Sequence, residues 1–261
     1  MRTNENINSE ATPTYMVNDN KAIVEIKDLT KSFGSQEVLK ELNIELRKGE
    51  NLVVLGKSGT GKSVLIKCIV GLLLADSGSI TVMEKDLQAL NHDELNNLRQ
   101  KIGFLFQSGA LYDSMTVKQN LEFPLKRIRK KMKPDEVKTK IEEVLENVGL
   151  ADALNKMPSQ LSGGMRKRIA LARTIIVDPV IMLYDEPTTG LDPVTSDEIS
   201  QLILEVQKKY NTSSIIITHD LACARTTGNR VAMLKDGNVY VEGTFDELNK
   251  SSDPFVASFF K

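Results

Sequence analysis

Apolar and polar positions along the chain follow two different periods, and the switch between them marks out the elements. From Ile23 the segments IVEIKDLTKSF, LKELNIEL and NLVVLG are rich in aliphatic residues and bounded by Gly, Lys or Asp, which predicts strands. After Gly61 the period lengthens. Val64, Leu65, Cys68, Ile69 and Leu72 recur at helical spacing, so a strand, a glycine-rich loop and a helix follow one another. IGFLFQ at 102–107 predicts a further strand. From about Ser108 to Val177 helical signals succeed one another with little strand character, which predicts a helical insertion. Its clearest helix opens on Pro134 with Asp135 and Glu136 in the first turn, places Val137, Ile141, Val144, Leu145 and Val148 on one face, and stops at Gly149. Strand signals return in VIMLYDE at 180–186, SIIITHD at 214–220, RVAMLKDG and NVYVEG, with a helical stretch around Ser196–Lys209 between the first two. The alternation predicts an α/β fold on a mainly parallel sheet, without internal repeats.

Composition narrows this picture. With 261 residues, 41% hydrophobic and 26% charged, the chain suits one globular domain carrying an insertion. The domain is expected over 21–261, with the helical subdomain at about 108–177 inserted in the catalytic core, and the polar residues 1–20 are expected to be a loose tail. A formal net charge of -1 gives no basic footprint, so nucleic acid is not an expected partner. Cys68 and Cys223 lie far apart in apolar runs and read as reduced core residues of a cytosolic protein. No apolar run approaches the roughly 18 residues of a bilayer span, and residues 1–20 lack the pattern of a signal peptide.

Three motifs carry chemistry. GKSGTGKS, comprising Gly56, Lys57, Ser58, Gly59, Thr60, Gly61, Lys62 and Ser63, satisfies GxxxxGK(S/T) between a predicted strand and a predicted helix. Glycines let the backbone wrap an anion, Lys62 reaches the β and γ phosphates of a nucleotide, and the Ser63 hydroxyl can ligate Mg²⁺. VIMLYDE ends an apolar strand in Asp185 and Glu186, which delivers two carboxylates to the sheet edge where phosphate-loop folds bind nucleotide. Asp185 is then a Mg²⁺ holder, and Glu186 polarises the attacking water. LSGGMRKR precedes a helical stretch, so Ser162 can cap that helix while Gly163 and Gly164 permit close backbone approach, making a second anion site.

The order GKSGTGKS, Gln107, LSGGM, VIMLYDEP, GLDP at Gly190–Pro193 and His219 resembles the ATPase subunits of ABC transporters, over nearly the whole chain from about Ile23 to Lys261. The resemblance implies a P-loop NTPase core with a mainly parallel sheet, an antiparallel β subdomain and a helical insertion, using ATP and Mg²⁺. It implies a second copy packed head to tail, so that Ser162, Gly163 and Gly164 of one copy close over ATP held by the other and Asp192 contacts the partner. Phe33 stands where the family has an adenine-stacking aromatic, often Tyr, and a Phe ring stacks without the hydroxyl. Gln107 would sense Mg²⁺ and the γ-phosphate, and His219 would hold that phosphate and the attacking water.

Three local features narrow the resemblance: LSGGM in place of the commoner LSGGQ, the insertion opening FLFQSGALYDSMTVKQNLEFPL, and YDEPTTGLDPVTS. Together with the ending DPFVASFF, they are similar to the ATPase subunits of Mla/Mce-type phospholipid transport systems, which work with a multispan membrane permease and an MCE-domain protein. That implies a cytoplasmic chain, peripheral on the inner membrane through its permease. Two other classes stay open: the ATPase of a small-solute importer, such as one for an amino acid, and a non-transport cytosolic switch. The run KRIRKKMK, Lys126–Lys133, has six basic residues in eight. It reads as a solvated loop before the Pro134 helix, or as a face for anionic lipid headgroups.

Overall fold

The computed structural model describes residues 21–260. The stretch 1–20 expected as a loose tail lies outside the described residues, as does Lys261. Strands β1 (Ala22–Phe33) and β2 (Gln36–Arg47) form a long hairpin, and β3 (Asn51–Gly56) leads through the phosphate loop into helix α1 (Lys62–Ile69). Then follow β4 (Ser77–Val82), the short β5 (Lys85–Asp86), α2 (His92–Arg99) and β6 (Ile102–Leu105). Helices α3 (Val117–Ile128), α4 (Pro134–Asn147) and α5 (Gly163–Ile175) succeed one another without a strand, as the helical insertion predicts. The chain then alternates: β7 (Ile181–Asp185), α6 (Pro193–Tyr210), β8 (Ser213–Thr218), α7 (Leu221–Thr227), β9 (Arg230–Lys235) and β10 (Asn238–Gly243), closing with the short helices α8 (Phe245–Asn249) and α9 (Pro254–Ala257).

Two sheets result. The larger runs β10-β9-β3-β8-β7-β6, parallel except for the β10 edge, and the smaller runs β2-β1-β4-β5, antiparallel throughout. Period-two geometry explains how one sheet serves two cores. Leu52 and Val54 of β3 pack with Leu65, Ile66 and Ile69 of α1 and with Ile26 and Leu42 of the antiparallel sheet. Val53 and Leu55 pack into the other cluster, with Leu121 of α3, Val144 of α4, Ile169 of α5 and Ile203 of α6. Each such side chain contributes about 1.5–3 kcal/mol when fully buried. Because β3, β8 and β7 are adjacent and parallel, Gly56, Thr218 and Asp185 end at one edge of the sheet, and the residues that follow them converge there.

Several predicted boundaries shift. Leu72 was expected on the helix after Gly61, yet α1 closes at Ile69 and Leu72 is exposed. Gly71 takes φ 66°, and the Leu72 N–H returns to Lys67 O at 2.9 Å, a left-handed C-terminal cap. Arg99 then binds the Val70 and Gly71 carbonyls at 2.9 and 2.7 Å. Strand β6 stops at Leu105 instead of Gln107, and Val180 precedes β7. The basic run is not all loop. Lys126, Arg127 and Ile128 form the last turn of α3, where cations complement the helix dipole. Lys126 pairs with Glu122 at 2.8 Å, and Arg129 donates to Val177 O at 3.2 Å. Both cysteines are buried and unpaired, and burial pushes each thiol up to about 11.

Candidate functional site

The phosphate loop is shaped by close approaches that only glycine permits. Gly61 has φ 97°, and a Cβ there would lie 2.7 Å from Leu39 Cδ2 and 2.9 Å from Val38 O of β2. At Gly56 a Cβ would lie 2.7 Å from Thr60 Oγ1. Thr60 Oγ1 itself donates to Lys57 O at 2.9 Å, tightening the turn. Lys62, the first residue of α1, is buried and donates to Gly56 O at 2.6 Å and Lys57 O at 3.0 Å. Burial holds its ammonium below the usual lysine range, against the opposing pull of Glu186 and Asp185.

A cleft of about 450 Å³ opens beside this loop, lined by Ser58, Gly59, Gly61, Lys62, Ser63, Gln107, Glu186 and His219. Four stretches of sequence scattered over about 160 positions are thus brought to one concavity by the parallel strand order. Asp185 is buried at the end of β7 and accepts from Ser63 Oγ at 3.1 Å. Its carboxyl is pushed above the usual carboxylate range by burial, with the Ser63 hydrogen bond opposing and Glu186 reinforcing the shift.

Glu186 follows in a left-handed backbone conformation, φ 51°, with its N–H fixed on Ile217 O at 2.9 Å. Such a conformation costs a non-glycine residue about 1–3 kcal/mol and persists where the surroundings enforce it. Its carboxylate is equally constrained: Thr189 Oγ1 donates to Oε2 at 3.1 Å, and His219 Nδ1 lies 2.8 Å from the same oxygen. Oε1 has no hydrogen-bond partner among the described residues, so it is the atom left to engage a water.

The remaining expected residues fall elsewhere. Phe33, at the end of β1, is half exposed with Lys31 Nζ 5.5 Å from its ring centroid, and it does not line the cleft. Val38 does. Ser162 caps α5, accepting from Met165 N at 3.2 Å. Gly163 and Gly164 form the start of that helix, against Leu191 and Thr195 respectively, and none of the three lines the cleft. Asp192 caps α6 by accepting from Thr195 N at 3.1 Å and Thr195 Oγ1 at 2.6 Å, bonds that hold its carboxyl below the usual range.

Two contributors escaped the sequence reading. Thr189 sits three residues after Glu186, a spacing that turns commonly use and that could have flagged it. Lys167 is buried and donates to Gln107 O at 2.5 Å and Glu186 O at 3.3 Å. In MRKR it is indistinguishable from the solvated basic residues beside it.

The oxygen pair at Ser63 and Asp185 has the chemistry that a hard divalent cation such as Mg²⁺ takes. Ser63 Oγ, in the cleft lining, and Asp185 Oδ1, buried just behind it, are hard oxygens 3.1 Å apart beside Lys62. Mg²⁺ takes few protein oxygens and completes its shell with water and substrate phosphates. No group of three or more His, Cys, Asp or Glu converges among the described residues.

Comparison with known proteins agrees with this geometry. The family described as "ABC transporter" matches residues 39–189. The chain is 41% identical over 236 residues to "Probable ribonucleotide transport ATP-binding protein mkl" of Mycobacterium leprae, covering 90% of this chain and 68% of that protein. It is 36% identical over 242 residues to "Intermembrane phospholipid transport system ATP-binding protein MlaF" of Haemophilus influenzae, covering 93% and 91%. It is 35% identical over 226 residues to "Methionine import ATP-binding protein MetN" of Clostridium tetani, covering 87% and 70%. A solved dimeric ATP-binding cassette in a post-hydrolysis state with ADP and Pi superposes with a TM-score of 0.77 at 34% identity, covering 85% of this chain and 98% of that one. Architecture, cleft and relatives agree: the chain belongs to the ABC transporter family, as an ATP-binding subunit that hydrolyses ATP.

Proposed function

We propose that this ATPase energises phospholipid movement between membranes, through a separate multispan permease and an MCE-domain protein. The observation that carries the cargo is the similarity to MlaF over 91% of that protein's length, together with the LSGGM and FQSGAL segments through which the chain resembles Mla/Mce-type ATPases. Among the described residues no helix is long and apolar enough to cross a membrane. On this reading the subunit acts from the cytoplasmic face of the inner membrane, held there by the permease, as the likeness to the phospholipid-transport ATPase supports.

In the cleft, Lys62 binds the β and γ phosphates and the loop N–H groups from Ser58 to Ser63 cradle them. Ser63, Asp185 and Gln107 would hold Mg²⁺, which when bound would supply charge neutralisation for the phosphoryl group. Glu186 orients and polarises a water for in-line attack on the γ-phosphorus; the bond to the β-phosphate oxygen breaks, leaving ADP and phosphate. His219 and Thr189 keep the Glu186 carboxylate in place, and His219 also contacts the γ-phosphate. Phe33, outside the cleft lining, would stack on an adenine that extends beyond it. A second copy presents Ser162, Gly163 and Gly164 across the cleft, with Asp192 at the seam. Closing and reopening of that pair moves the helical insertion against the permease.

A solute-import reading is favoured by the names of the mycobacterial and clostridial relatives. Purification of the intact complex from detergent-solubilised membranes separates the two. Recovery of a multispan permease with an MCE-domain protein and bound phospholipid supports the first reading. Recovery with a permease and a soluble solute-binding protein, or with soluble partners alone, removes it.

A further inference from the structure

We infer that Lys167 is a positioning residue for hydrolysis, locking the main chain of Gln107 and Glu186 to the helix that begins at Ser162. The inference rests on the roles proposed above for Glu186 and Gln107, and not on the cargo. Lys167 lies on α5, five residues beyond the cap, and only 8% of its surface is exposed. Its ammonium donates to Gln107 O at 2.5 Å and to Glu186 O at 3.3 Å. Both of its hydrogen-bond partners are carbonyls. Burial lowers its pKa, and Glu186 and Asp185 favour the charged form through space.

An apolar side chain would fill this position without the desolvation cost of a buried charge. What the charge adds is a grip on two peptides at once. The same helix face holds the segment after Gln107 at two further points. Arg173 Nη2 donates to Gly109 O at 3.4 Å, and a Cβ at Gly109 would lie 3.2 Å from Ala170 Cβ. Positions 167, 170 and 173 lie three residues apart, so one stripe of α5 tracks the Gln107 loop. The peptide of Glu186 is held at both ends: Ile217 O takes its N–H, while Lys167 and the Thr189 N–H, at 3.3 Å, share its carbonyl. This enforces the left-handed backbone from which the carboxylate reaches the cleft. Loosening it disturbs the aim of Glu186 and Gln107 while leaving Lys62 and the phosphate loop intact. Turnover should therefore suffer, and nucleotide binding should not.

The test is steady-state ATP hydrolysis by the full chain with ATP and Mg²⁺, comparing wild type, Lys167→Met, Lys167→Arg and Glu186→Gln, with a thermal midpoint for each. Lys167→Met keeps bulk and loses the charge-assisted bonds; kcat is expected to fall about tenfold or more with KM for ATP changed less than about twofold. Its thermal midpoint should hold or rise, and Lys167→Arg should recover most of the lost kcat. Wild-type kcat in Lys167→Met, with Glu186→Gln inactive, overturns the inference alone. Loss of kcat tracking a lowered midpoint or a raised KM, unrepaired by Arg, also overturns it by reducing Lys167 to a packing role. Wild-type turnover in Glu186→Gln removes the reading beneath it.

Discussion

Glu186 combines a strained backbone with a carboxylate whose Oε2 is taken by His219 and Thr189, an arrangement that favours one orientation of one free oxygen. Replacing it by Gln keeps size and the Thr189 contact but removes the proposed base. Hydrolysis by Glu186→Gln is expected to fall by about 10² or more, with ATP affinity within a few-fold of wild type, as read by single-turnover kinetics beside equilibrium nucleotide binding. Asp185 shows the cost of such a site. Burial raises its folded-state pKa, so its stabilising contribution is present only below the unfolded carboxylate range and is lost as pH rises through the folded value. At neutral pH the ionised group opposes folding. Asp185→Asn, which can still accept from Ser63, should melt about 2–4 °C higher than wild type in the absence of nucleotide, for a gain of about 1 kcal/mol. It should also lose Mg²⁺-dependent hydrolysis. Calorimetry across the acidic range checks the sign: the gap should close as pH falls toward the unfolded carboxylate pKa.

The phosphate loop works because β2 crosses close behind it, and Gly61 is the point of contact. Gly61→Ala sets a Cβ against Leu39 and Val38 in a backbone region that disfavours side chains. A loss of about 1–3 kcal/mol in unfolding free energy is expected, together with loss of nucleotide binding, measured by denaturant titration and by fluorescent-nucleotide binding. Element order, the parallel sheet and the helical insertion were legible in the sequence, because the short continuous apolar runs at β3, β7 and β8 suit strands buried on both faces and are bounded by polar and turn residues. Boundaries set by tertiary partners were not. The end of α1 depends on Gly71 and on Arg99, a residue nearly thirty positions away that binds the Val70 and Gly71 carbonyls just past the helix. Half of the KRIRKKMK run is absorbed into α3 and a contact with Val177, which composition alone does not reveal. Lys167 was illegible for the same reason. Its neighbour Arg168 pairs with Glu198 at 2.7 Å, and only the fold shows that Lys167 turns inward.

Across the whole molecule the proposed functional residues divide into two groups that one chain does not bring together. The phosphate loop, Gln107, Asp185, Glu186 and His219 share one sheet edge, while Ser162, Gly163 and Gly164 start α5 outside the cleft lining. A helix N-terminus with exposed N–H groups is an anion site, and the account supplies its anion from a second copy. Exposed Val194, 70% accessible beside the Asp192 cap, is consistent with a surface covered in such a pair. The most direct test is the solution mass of Glu186→Gln by light scattering, with and without ATP and Mg²⁺. With ATP the account predicts twice the 29.0 kDa chain mass, falling to a single chain when ATP is withdrawn or when Ser162 is also replaced by Arg. A chain that binds ATP and remains at 29.0 kDa at every concentration would contradict it.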